Sequence, residues 1–127
     1  MGAEIIISKN NVELNYWCRN SYVFKAFDYA GAIKYDDKSH TLTRDHFEQA
    51  INYIEDLINE RKENIKRNKI ILQGLNSYQE RFDCLEIIKD NKEELKMLKY
   101  ALNTLYVYDS IRSYLTNEGT LEIYCSY

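Results

Sequence analysis

Two long stretches in which apolar residues recur every three or four positions constrain this chain more than any other feature. Phe47, Ala50, Ile51, Ile54, Leu57, Ile58 and Ile65 form one; Leu95, Leu98, Leu102, Leu105, Ile111 and Leu115 form the other. Such a stripe gathers on one face only if the segment is helical, so the body of the fold is two long amphipathic helices. Thr43 or Asp45 is placed to cap the first, because Asp45 stands three residues before Glu48, the spacing of a capping box. The charged run from Glu60 to Lys69 alternates in sign, as a solvated helix face does. Ile70, Ile71 and Leu72 prolong this helix, and Gly74, Asn76 and Ser77 mark its break. A shorter helix is predicted over Tyr78 to Lys89. The second long one starts near Asn91 and is ended by Asn117 and Gly119.

The ends read differently. Ala3 to Ser8 is a β-branched run followed by a turn signal at Lys9-Asn10-Asn11. In Thr120 to Ser126, Leu121, Ile123 and Cys125 alternate with Glu122, Tyr124 and Ser126, the pattern of a half-buried strand. A lone strand leaves its ladder groups unpaired, so these two are expected to pair. From Glu13 the spacing of Leu14, Trp17, Phe24 and Phe27 predicts a helix to about Ala30; polar Gly31 to Thr43, centred on Asp36-Asp37-Lys38-Ser39, reads as a loop or short irregular hairpin. The expected class is α+β: a small antiparallel sheet formed largely by the N- and C-terminal strands, packed with three to four helices, two of them long. At 127 residues the chain is expected to be a single domain, 1–127.

Charge and cysteine usage narrow the function classes. Seventeen basic residues against twenty acidic ones give a net charge of −3. No broad positive field follows, so general nucleic-acid binding is not expected, although local basic patches stay open. Cys18, Cys84 and Cys125 are widely spaced and odd in number, which fits neither a disulfide framework nor a zinc site. No apolar run approaches a membrane span, and a cytoplasmic protein is expected, in the host cell on the resemblance below. The phosphate-loop, dinucleotide, hydrolase and zinc-protease motifs are missing. His40 and His46 lie near Asp36, Asp37 and Asp45, but a solvated loop and an acidic helix start account for them. Cys18 beside Arg19 has no base near it in sequence. A protein without catalytic residues, metal or cofactor is expected.

Binding is the better prospect. Twelve tyrosines exceed what a core of this size needs, and Tyr100, Tyr106, Tyr108 and Tyr114 lie along the last long helix. The segment holding Tyr16, Trp17, Arg19, Asn20 and Lys25 combines aromatic plates, cations and an amide, the mixture a small-molecule pocket uses. Read as a helix, it sets Tyr16 and Asn20 one turn apart on one face. Arg19 would bind an anion, Tyr16 and Trp17 would stack, and Asn20 would read polar edges. Lys25 and Arg112 add charge, and Tyr124 adds a further ring.

The same residues carry a resemblance. An opening Met-Gly, an apolar strand and a Glu-apolar-x-Tyr-Trp helix start running on to Lys-x-Phe resemble a group of small bacteriophage and prophage proteins. Gly2, Glu13, Tyr16, Trp17, Val23, Lys25 and Phe27 fit the form, as does the Tyr- and Ser-containing ending from Ile123 to Tyr127. Cys18, Ser21, Phe24 and Ala26 depart from it, standing where the group has Arg, Asn, His and Trp. A function needing that imidazole is therefore not expected here. The resemblance, at the two ends of the chain, implies phage origin and general shape, and a counter-defence role is the expectation in keeping with it. The protein would sequester a small nucleotide-derived anion, or else inhibit a host defence complex, anti-CRISPR-like, through an acidic Tyr-rich surface. A homodimer through exposed faces of the long helices is a further expectation.

Overall fold

The computed structural model describes residues 4–9, 12–18, 22–34, 36, 38–115 and 120–126. The terminal strands pair as the alternation requires. β1 (Glu4–Lys9) runs antiparallel to β4 (Leu121–Ser126), with Ile5 opposite Cys125 and Ile7 opposite Ile123. On the far side of β1 lies β2 (Val12–Cys18), and on the far side of β4 lies β3 (Ser39–Leu42), giving one sheet in the order β2-β1-β4-β3. Ile5, Ile7, Leu42, Leu121, Ile123 and Cys125 are buried against the helices. Each such side chain withdrawn from water contributes roughly 1.5–3 kcal/mol, which is what holds so narrow a sheet.

β2 corrects the sequence expectation. Glu13 to Cys18 is strand, and the helix α1 begins only at Tyr22 and ends at Tyr29. Leu14 and Trp17 have helical spacing, but Val12, Tyr16 and Trp17 are residues that favour a strand, and pairing with β1 decides between the two. α1 buries Val23, Ala26 and Phe27 and closes at Gly31, whose φ of 75° suits a residue without Cβ. Ala32 N–H donates to Phe27 O at 3.0 Å and Gly31 N–H to Asp28 O at 3.1 Å, so the last carbonyls are satisfied. The polar segment after it supplies β3, which stands at the sheet edge where a short strand suffices.

α2 (Arg44–Gln73) is capped by Thr43, not Asp45: Thr43 Oγ1 accepts from His46 N–H at 3.3 Å, while His46 Nδ1 accepts from Thr43 N–H at 3.0 Å. The imidazole takes the place of the expected Glu48 because it sits three residues after the extended Thr43. Only the neutral ring can accept at Nδ1, and burial lowers the His46 pKa below its ordinary 6.5, Asp45 opposing weakly. The folded state therefore binds fewer protons than the unfolded one; this stability is complete above about pH 6.5 and falls as the pH drops toward the folded pKa. Thermal unfolding at descending pH should show this loss in the native protein and not in His46→Gln, whose amide keeps an acceptor at every pH.

α3 (Tyr78–Leu115) is one continuous helix where two were expected, since Asp90 and Asn91 interrupt the apolar pattern without breaking the backbone. The expected stop at Asn117 and Gly119 lies outside the described residues. α2 and α3 form an antiparallel hairpin joined at Gly74–Ser77, where Arg81 donates to Leu72 O and Leu75 O, each at 3.2 Å. Its seam advances alternately by three and four residues: Phe47, Ile51, Ile54, Ile58, Arg61, Ile65, Asn68 and Leu72 against Cys84, Ile88, Asn91, Leu95, Leu98, Leu102 and Leu105. The main core ends at Ile58 and Leu98. Beyond it the hairpin continues for ~20 Å as an arm whose seam is partly polar. There Arg61 Nη1 donates to Asn91 Oδ1 at 3.2 Å, and Cys84 Sγ donates to Asn68 O at 3.2 Å.

Candidate functional site

Of the residues singled out in the sequence, the structure gives strand positions for Tyr16, Trp17 and Tyr124 and side-chain surroundings for Lys25 and Arg112. Tyr16 and Trp17 stand on β2, opposite Ile6 and Ile5, and Ile6 is also opposite Tyr124. Tyr16 and Tyr124 thus flank one β1 residue in a single row of the sheet. The strand removes the helical face that would have joined Tyr16 to Asn20. Arg19 and Asn20 lie outside the described residues. Lys25 is exposed on α1, its Nζ 4.9 Å from the centre of the Tyr22 ring. Arg112 is only 5% exposed and is engaged internally: Nη2 lies 2.8 Å from Asp109 Oδ1, Nε donates to the same oxygen at 2.9 Å, and the guanidinium stands 6.0 Å from the centre of the Phe47 ring.

His40 Nε2 meets Asp36 Oδ1 at 2.8 Å, a contact that lowers the Asp36 pKa. Among the described residues no three His, Cys, Asp or Glu side chains converge to hold a metal ion. Cys84 and Cys125 are both buried, and the Cys84 thiol is engaged with Asn68 O. Among the described residues no helix is long and apolar enough to cross a membrane.

The arm presents a stronger arrangement. In an antiparallel helix pair, residues immediately following alternate seam positions flank the seam on one common side. Tyr106 follows Leu105 and Glu55 follows Ile54; the Tyr106 hydroxyl donates to Glu55 Oε1 at 3.1 Å, which marks that side. Burial and then the Glu55 carboxylate push the Tyr106 pKa up, so the hydroxyl keeps its proton. One and two heptads toward the tip, the same positions are Lys62 and Lys69 on α2 and Lys99 and Lys92 on α3. Lys66, Lys89 and Lys96 continue the two rows, each three or four residues from its neighbours. Seven exposed lysines therefore share one side of the arm, and no acidic residue occupies either row between Lys62 and Lys69 or between Leu85 and Lys99. None of them belongs to a salt bridge among the described residues.

Leu85, Ile88, Lys89, Lys92, Glu93 and Lys96 line an open hollow of about 510 Å³ on this side. The α3 row continues past Leu85 to Phe82 and Tyr78, which are 49% and 84% exposed. Read along the chain, the charges of α2 alternate in sign; read along the helix face, Lys62, Lys66 and Lys69 stand together. Spacing by three and four is the signal that would have found them.

Fold and site together define an α+β protein with a projecting helical hairpin, cationic along one side. No protein-family model, curated protein or solved structure matches the chain.

Proposed function

We propose that the protein is a non-enzymatic binder of an anionic partner, which it engages along the lysine side of the arm. In the phage setting implied by the resemblance, it acts as a counter-defence protein by occupying that partner. The observation that carries this reading is the convergence of seven unpaired lysines in a chain whose net charge is −3. Like charges three or four residues apart along a helix face repel, so the lysine rows bring no folding advantage. An anion bound across them relieves that repulsion.

Retention on immobilised heparin tests the reading. The native protein should be held at low salt despite its acidic pI, whereas Lys66→Glu/Lys92→Glu/Lys96→Glu should pass through with its helicity intact. Free passage of the native protein overturns the proposal.

A second reading is capture of a small nucleotide-derived anion, held in the open hollow on α3 where Lys89, Lys92 and Lys96 stand around Glu93. It would appear as a thermal shift with a cyclic oligonucleotide or an ADP-ribose derivative, lost in Lys92→Gln.

A further inference from the structure

Resting on that reading, we infer that the anionic partner is a single-stranded nucleic acid, its backbone following the lysine rows and its bases stacking on Tyr78 and Phe82. The α3 row runs Tyr78, Phe82, Leu85, Lys89, Lys92, Lys96, Lys99 without an acidic interruption. Successive lysines in it are ~5–6 Å apart, and the cationic part spans ~15 Å. The α2 row, Lys62, Lys66 and Lys69, lies alongside on an axis ~8–10 Å away. Charge at this pitch neutralises consecutive phosphates of one strand. It extends further than a single nucleotide can cover.

The residue types point the same way. All seven cations are lysines, point charges without the planar fork that arginine offers to a carboxylate or to a guanine edge. They suit a phosphate backbone held without regard to sequence. The two aromatic rings stand four residues apart at the end of the same row, and both are exposed. A positive track that continues into aromatic faces is the arrangement by which proteins hold unpaired bases, whereas a duplex keeps its base faces stacked inside. An anionic membrane fits less well. The rings occupy the far end of the row, so inserting that end would leave Lys92, Lys96 and Lys99 ~15–30 Å behind the rings, beyond the ~8 Å over which a charged surface acts at physiological salt.

Fluorescence anisotropy of the full chain with labelled oligothymidylate, labelled oligouridylate, a duplex of equal length and phosphatidylserine vesicles tests the inference, and comparing the first two shows whether DNA or RNA is preferred. Both single strands should bind more tightly than the duplex or the vesicles. The logarithm of the association constant should fall with that of salt by about 0.7 per phosphate contact. Lys89→Gln/Lys92→Gln/Lys96→Gln should reduce that slope by about 2. Tyr78→Ala and Phe82→Ala should each weaken binding roughly five- to hundred-fold while leaving the slope unchanged. All five positions are exposed, so circular dichroism should report a native fold in every variant. Equal or tighter binding to duplex or vesicles, or insensitivity to both ring deletions, overturns the single-strand inference while leaving an anion-binding arm in place. Binding to none of these and to no heparin overturns both.

Discussion

Phe47→Ala is expected to destabilise the protein by about 3–5 kcal/mol, the range for deleting a buried phenyl ring. Phe47 is fully buried in the first turns of α2, and its ring meets Phe27 of α1 edge-to-face at 5.6 Å. The same ring lies beneath the Arg112 guanidinium. One deletion thus opens a cavity between α1 and α2 and strips an aromatic face from a cation that is nearly out of water. Cavity and lost cation–π contact act in the same direction. Urea unfolding should show a lower midpoint at an unchanged slope. A loss below about 1 kcal/mol would mean that the site collapses around the gap, and that Phe47 does not hold α1 to the hairpin.

The second large effect is a reversal of sign in the arm. Asn91 is 7% exposed in the seam; its Oδ1 accepts from Arg61 Nη1 at 3.2 Å and from Asn64 Nδ2 at 3.5 Å, and its Nδ2 donates to Ile87 O at 2.8 Å. Arg61 Nε is buried without a hydrogen-bond partner among the described residues. Asn91→Leu alone removes the acceptor and should cost about 1–3 kcal/mol, because the donors facing it lose their partner. Adding Arg61→Leu removes the main stranded donor and extends the apolar seam, so the double variant should recover that loss and exceed native stability by about 1–4 kcal/mol. The coupling in a double-mutant cycle is the measurement. Additive losses would show that the two side chains act independently and that the seam is not limited by its polar centre.

How far the fold could be read from the sequence depends on how many structures each local pattern allows. Strict alternation in Leu121 to Ser126 admits only a strand with one buried face, and β1 is the partner it requires. The stripe from Phe47 to Ile65 likewise admits only a helix, and Gly74 ends it. Val12 to Cys18 satisfied two patterns at once, and only the hydrogen bonds offered by β1 distinguish them. At Asp90 and Asn91 polar residues suggested a boundary, yet neither removes a backbone N–H as proline would, so α3 continues and Asn91 is carried into the seam. The lysine side was hidden for a geometric reason: its lysines come from two segments twenty residues apart, and only the turn at Gly74–Ser77 lays one beside the other. Of the residues proposed from sequence, Arg112 shows the limit most clearly. Its spacing of three from Asp109 permits the ion pair, but nothing local shows that the pair is packed over Phe47 and nearly out of water.

The central pairing of β1 with β4 also sets an order of events during synthesis. Ile5 and Cys125 are neighbours in the sheet, yet the entire helical hairpin lies between them along the chain. The hairpin makes its contacts within one continuous segment and can close as soon as α3 has left the ribosome, whereas joining β1 to β4 must first meet the entropy of bringing distant segments together. Until then the Ile5-Ile6-Ile7 ribbon is available to any other strand that reaches it. Newly made chains are thus most exposed to misassembly in the interval before β4 emerges, and slower elongation through the helices lengthens that interval.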